Sequence, residues 1–402
     1  MAIERFPSPP TSQIIAGHVD KHYARVTKDW GGRNIFLGRM PKRDDILMVS
    51  NDYLSLTNHR RVVDAQIEEL QRIGNGMMMS GVLIQQESSP NRVLERELAD
   101  FLHAEDCIVC QSGYAANTGL IQSLADGKTP VYIDNIAHMS FLEGIRSAQA
   151  PVIPFSHNRM DSLERKAAAH GPGIILVDSV FSTIGTVCPL QSVAAIAERF
   201  GCLLVVDESH SLGTHGPMGK GLVVEEKLTG KVHFRTASLA KAFCGRGGII
   251  AGNAREIDFI RFKAHPFIFS SAVLPHEAAG FRAMLKLISE DSAGRKRLKH
   301  NSRYLREQLT NLGYNLNGSR SQIIALEPGT EPRTMQTRDA LERQGIFGAI
   351  FVPPATTRKR SLIRFSVHRS LRQVDLERIV AVCNRMKQEV GMEQWLSTRR
   401  IR

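Results

Sequence analysis

The 402-residue sequence holds no apolar, uncharged run long enough to cross a bilayer, which takes about 20 residues. Its opening, MAIERFPSPPTSQ, has no apolar stretch of the kind a secretory leader carries. Cysteine is scarce: Cys107, Cys110, Cys188, Cys202, Cys244 and Cys383 make up the full set, four of them in apolar runs that suit reduced core thiols. A cytoplasmic protein without a membrane span is the expectation. Internal repeats and low-complexity segments are also missing, which excludes a solenoid or a tethered array. What remains is an ordinary globular composition, 42% hydrophobic and 23% charged. That balance argues against extended disorder, and the length suits a large and a small domain.

Acidic residues are outnumbered, and the formal net charge is +12. Local basic runs occur at Arg295–Lys299, Arg358–Arg360 and Arg399–Arg402. They come without zinc-finger spacing, an RNP-type aromatic motif or glycine-arginine repeats, so no nucleic acid is expected. Solvated helix faces and a tail account for them. A phosphate-rich small molecule such as coenzyme A, or an acidic carrier, is the alternative.

The patterning predicts an α/β protein. Residues 1–55 form an N-terminal arm, with Ile14, Ile15, Val19, Tyr23 and Val26 at helical spacing. Residues 56–278 alternate helical segments with short apolar strands at Cys107–Cys110, Val131–Ile133, Ile174–Val177, Leu203–Val206 and Gly248–Ala251. Such strands predict a mostly parallel sheet covered on both faces. Residues 279–402 make a smaller α+β domain, with strands expected at Ser321–Leu326 and Leu362–Val367.

Ligands of an open parallel sheet bind beyond the carboxyl ends of its strands. At those ends lie Asp207-Glu208-Ser209-His210, Asp134-Asn135-Ile136-Ala137-His138 and, after the first apolar strand, Gln111-Ser112-Gly113-Tyr114. Further on, Ser238-Leu239-Ala240-Lys241 precedes a glycine-rich turn. Taken singly, each has a plain explanation: a cap or ion partner, a structural histidine, a helix start, a solvated lysine. Together they suit one ligand. A pyridine ring with a phosphate and an aldehyde needs a phosphate cradle, a stacking imidazole, an acid at the ring nitrogen and an amine.

In this order the motifs resemble the α-oxoamine synthases, enzymes of fold type I dependent on pyridoxal 5′-phosphate (PLP). The resemblance includes Asp178…Ser182, Ser50-Asn51-Asp52-Tyr53-Leu54, Phe269-Ser270-Ser271 and Arg364, and it spans about residues 45–385. Local text such as Asp207–Pro217 (DESHSLGTHGP) and Ala237-Ser238-Leu239-Ala240-Lys241 is most similar to synthases of α-hydroxyketone-type quorum-sensing autoinducers. The resemblance implies a large PLP-binding domain and a small C-terminal domain. It makes Lys241 the residue that forms the imine with the cofactor and Asp207 the partner of the ring nitrogen. His210 and Ser182 would approach the ring hydroxyl, and His138 would stack on the ring. The phosphate would lie on Ser112, Gly113, Tyr114 and Ser238, with Ser271 reaching the site of a second subunit in a homodimer. Asn51 and Arg364 would hold the substrate carboxylate.

The substrates implied are an acyl-CoA and an amino acid or S-adenosylmethionine, and the product a long-chain aminoketone. The 8-amino-7-oxononanoate synthases and serine palmitoyltransferases share the same residues and stand as alternatives. An inactive basic scaffold is the rival of another class. The chain departs from the family in four places. Ser238 stands where threonine is usual, Phe351 where many members have arginine before Pro353-Pro354, and Asn91 where histidine is usual. The run Gly76–Gly81 (GMMMSG) suits either an apolar acyl pocket or a methionine-packed core.

Overall fold

The computed structural model describes residues 12–399. The main sheet has seven strands: β2 (Asp106–Cys110), β3 (Val131–Asp134), β4 (Val152–Phe155), β5 (Ile174–Asp178), β6 (Leu203–Asp207), β7 (Phe234–Ser238) and β8 (Gly248–Gly252), in the order β2-β8-β7-β6-β5-β3-β4. The run β7-β6-β5-β3-β4 is parallel, and β8 lies antiparallel to both β7 and β2. A second sheet of four strands joins β1 (Ile46–Met48), β10 (Ile346–Phe351), β11 (Ser361–Ser366) and β9 (Ile323–Gly329) in that order.

Apolar residues on both sides of each central strand make the main sheet a buried layer. Ile175, Val177, Leu204 and Val206 enter one hydrophobic cluster, whereas Ile174, Leu176 and Val205 enter a second on the opposite face. This is the pattern of strands covered by helices on both sides. Five of the cysteines are buried free thiols and Cys244 is half-buried.

Three strands do not stand out in the sequence. β4 contains Pro154 and leaves Val152 exposed, as a sheet edge allows. β10 is interrupted by Gly348. β7 carries Arg235 in a central strand, where a charge is unexpected. The residue is 5% exposed and its guanidinium is fully answered: Glu208 pairs with it, and the carbonyls of Leu102 and Lys220 accept from it. Glu208 is thus a structural neighbour of Asp207.

The expected N-terminal helix runs from Gln13 to Trp30, capped by the Ser12 hydroxyl and ended by left-handed Gly31. Trp30 packs with Ile35, Met335 and Val352. Ile14, Ile15, Val19 and Tyr23 face outward in the single chain. Among the described residues no helix is long and apolar enough to cross a membrane. Of the basic runs, Arg295–Lys299 lies in the Ser292–Asn311 helix, and Arg360 in the second run pairs with Glu327. Residues 400–402 of the tail lie outside the described residues.

Candidate active site

The parallel strands end in acids. Asp178 of β5 is in register with Asp207 of β6, and Asp207 with Thr236 of β7. Asp134 closes β3 and is tied to His157 Nδ1 at 2.9 Å, whose other ring nitrogen meets Thr186 Oγ1 at 2.8 Å. Burial, then the neighbouring Asp207 charge, push the Asp178 carboxyl well above the carboxylate range. Asp207 accepts from the Ser209 amide at 2.7 Å and from Asn117 Nδ2, also at 2.7 Å. Its two oxygens are therefore held by N–H donors.

Opposite β6, the Gly113–Leu124 helix begins against the end of β7. The Ser112 hydroxyl caps it by accepting from the Ala115 amide at 3.0 Å. A Cβ added at Gly113 would lie 2.6 Å from Ser238 Cβ, and one at Gly248 would lie 2.2 Å from the Ser112 carbonyl oxygen. Glycine at both positions lets the helix start approach the strand ends. The helix itself leaves the Gly113 and Tyr114 amides, at its first two positions, without an intrahelical partner, and Gly113 packs closely against Ser238. A helix start of this kind suits an anion.

His138 caps the Met139–Ser147 helix and meets the Tyr114 ring edge-on, centroids 6.3 Å apart. Burial pulls it below the usual imidazole value; Asp207 opposes that pull and Lys241 adds to it. His210 is 5% exposed, and its Nδ1 lies 2.7 Å from the Tyr53 hydroxyl. Burial, then the cations Lys241 and Arg364, hold it well below the usual value. Tyr53, pushed up to about 12 by burial, stays a neutral phenol.

A stability prediction follows. The unfolded chain protonates His210 below a pH of about 6.5 while the folded chain does not, so between the two pKa values the unfolded state binds more protons. Stability rises with pH there and is lost as pH falls from 7 towards 5. Urea midpoints should drop over that range and drop less in His210→Asn; equal slopes would contradict the assignment.

Lys241 follows β7 in a half-buried turn, and its amine has no hydrogen-bond or ion-pair partner among the described residues. Burial, then the Arg364 charge, lower its pKa, with Asp207 pulling the other way. Arg364 of β11 donates to the Ser182 carbonyl at 2.9 Å and to Asn51 Oδ1 at 2.8 Å. Its buried Nε has no partner, and its guanidinium lies 4.5 Å from the centre of the Phe351 ring. Phe351, which the sequence marks as a departure, thus supplies an aromatic face to Arg364.

The orphaned Arg364 Nε, the partnerless Lys241 and the open helix start fit a group with an aldehyde, a phosphate and an amino-acid substrate. Ser271 is exposed; within the chain its carbonyl accepts from Gln111 Nε2 at 2.7 Å, beside Ser112. Asn117, Ser140, Thr236 and Tyr53 complete the surroundings, although the sequence singled out none of them for a role. Tyr53 lies within the Ser50–Leu54 motif, and the signal for the other three is a polar residue inside an otherwise small or apolar run. Met77 and Met78 are exposed in the single chain, so the GMMMSG run is not a buried core.

Residues 43–382 match the family model of aminotransferase class I and II. The chain is 40% identical over 375 residues to the CAI-1 autoinducer synthase of Vibrio campbellii, covering 93% of this chain and 95% of that protein. It is 33% identical to the 8-amino-7-oxononanoate synthase of Geobacter sulfurreducens, over 87% of this chain and 90% of that protein. Among solved structures, Sphingomonas wittichii serine palmitoyltransferase superposes with a TM-score of 0.85 at 23% identity, covering 94% of this chain and 98% of that chain, a likeness of fold.

Proposed function

The chain belongs to the aminotransferase class I and II family and, within it, to the PLP-dependent α-oxoamine synthases, and we propose that it makes the long-chain aminoketone from which an α-hydroxyketone autoinducer is derived. It is an acyltransferase with PLP as its cofactor. The overall reaction joins the acyl carbon of an acyl-CoA thioester to the α-carbon of an amino donor and releases coenzyme A and carbon dioxide. The donor is 2-aminobutyrate or S-adenosylmethionine; with the latter an elimination joins the scheme.

One arrangement carries this assignment: a desolvated, partnerless Lys241 among Asp207, His138, His210 and Arg364. Bound PLP supplies a cationic ring that takes up the electron pair left on the substrate carbon. The chain's residues do the rest. Gly113, Tyr114, Ser112 and Ser238 would hold the phosphate, His138 would pack on the ring, and Asp207 would keep the ring nitrogen charged. His210, its Nδ1 against Tyr53, would use Nε2 toward the ring hydroxyl, together with Ser182. Arg364 and Asn51 bind the donor's carboxylate with the N–H groups left over from their mutual contact. Lys241, its proton weakly held, takes the α-proton as general base.

The outward-facing Met77, Met78, Leu83, Phe262 and Phe269 favour a homodimer with shared active sites, in which Ser271 reaches the partner's phosphate. The free thiols suit the cytoplasm. Incubation with a matrix of acyl-CoAs and amino donors, read by mass spectrometry of the lipid-soluble product, tests the substrate assignment. A medium-to-long acyl chain with 2-aminobutyrate or S-adenosylmethionine should dominate. Preference for a pimeloyl thioester with alanine, or for palmitoyl-CoA with serine, would move the chain to a sister activity. Salt-sensitive duplex DNA binding without a yellow chromophore would favour the inactive scaffold.

A further inference from the structure

Asn117 lies in the first turns of the Gly113–Leu124 helix and is 1% exposed. Its side chain makes no contact that the reaction requires of it, yet its carboxamide is spent entirely on residues around the site. Oδ1 accepts from the Thr236 hydroxyl at 2.6 Å, and the Asp207 carboxylate, which only accepts, fixes the end of the amide that carries the hydrogens. Nδ2 then donates both of them, to Asp207 Oδ2 at 2.7 Å and to Ser140 Oγ at 2.9 Å. Thr236 is the register partner of Asp207 on the adjacent strand, so β7 orients the amide that grips the acid of β6.

The chain of contacts continues to His138. The Ser140 hydroxyl lies 2.7 Å from His138 Nδ1, and the Ser140 backbone amide donates to the same nitrogen at 3.3 Å. A backbone N–H only donates, so Nδ1 is an acceptor and the ring proton of neutral His138 sits on Nε2. Because Ser140 Oγ receives an Asn117 hydrogen, its own hydrogen is free to point at Nδ1. Ser140 is fully buried, which leaves no water to compete for these positions.

We propose that Asn117 is a positioning residue that locks the Asp207 carboxylate in one rotamer and, through Ser140, holds His138 in its Nε2–H form. The inference rests on the functional reading in which Asp207 faces the ring nitrogen of PLP. Removing the amide leaves Asp207 Oδ2 without a donor in a dry site, next to the carboxyl of Asp178. The acid is then free to swing, and its hold on a cationic ring weakens. An amide that merely filled space would leave that hold unchanged.

The test is a double-mutant cycle on the PLP-loaded protein, with PLP affinity from absorbance titration as the first readout and steady-state kinetics as the second. Asn117→Ala should weaken PLP binding about 10-fold and lower kcat about 10- to 100-fold, the worth of one hydrogen bond to a charged group, while KM moves less than about threefold. Thr236→Val keeps the volume and removes only the hydroxyl that orients the amide; it should shift affinity and kcat in the same direction by less. In an Asp207→Asn background, Asn117→Ala should add no further loss. Should Asn117→Ala fail to fold, the Thr236→Val arm of the cycle decides. Additive losses with Asp207→Asn, or affinity and kcat within about twofold of wild type, would overturn the inference. A wild-type chain that takes up no PLP at Lys241 would instead remove the functional reading, and this inference with it.

Discussion

Lys241→Ala is expected to abolish turnover and leave the fold intact. The lysine side chain carries two duties in the proposed reaction, attachment of the cofactor and removal of the α-proton, and no other lysine lies in the Thr236–Gly248 segment to take them over. General base catalysis alone contributes up to about 10⁴-fold, so loss of at least that factor in kcat is the expected result. Stability should hardly move. The amine makes no hydrogen bond or ion pair among the described residues, and burial together with Arg364 already disfavours its charge, so truncation removes no stabilising contact. A change of about 1 kcal/mol or less in unfolding free energy is expected. Steady-state assays with urea melts of the same preparation separate the two effects. Turnover within about tenfold of wild type would show that the proton is taken elsewhere.

Asp207→Asn should be nearly as damaging, for a different reason. The amide has the carboxylate's shape but no charge, so a ring nitrogen facing it loses the counter-ion that keeps it protonated. Electrostatic groups of this kind are worth about 10²- to 10³-fold in kcat, and a loss at the upper end is expected because the site is buried. The substitution also places an NH2 group where Asn117 Nδ2 and the Ser209 amide both donate, so one donor is left facing another. Two further consequences mark the charge as the cause. Without Asp207, His138 loses the group that favours its protonation, and Asp178 loses the neighbour that, after burial, most disfavours its ionisation. The histidine should titrate lower and the Asp178 carboxyl should ionise more readily than in the wild type, both visible by NMR. Activity within about threefold of wild type, with both groups unmoved, would mean that Asp207 is only structural.

Much of this layout was legible because a buried parallel strand announces itself twice, by an unbroken apolar run and by the polar residue that ends it. Ile174–Val177 and Leu203–Val206 do both, and Asp178 and Asp207 follow directly. β7 was hidden because Arg235 breaks its apolar run, and only the folded chain brings Glu208 and the carbonyls of Leu102 and Lys220 round that charge. The site divides in the same way. Residues in short motifs, such as Ser112-Gly113-Tyr114 or Ser238…Lys241, can be singled out from local text. Asn117, Thr236 and Tyr53 act through partners 90, 119 and 157 positions away, a relation that spacing does not encode. Arg364 over Phe351 was equally invisible, since the two meet only through the pairing of β10 with β11.

Borohydride treatment of the PLP-loaded protein, followed by peptide mass mapping, tests the central claim most directly. Reduction fixes the vitamin on whichever side chain holds it. A single pyridoxyl group on the peptide containing Lys241, missing from the Asp207→Asn protein only to the extent that it binds less PLP, is the predicted result. Label on another lysine, or none from a protein that has visibly taken up the cofactor, would contradict it.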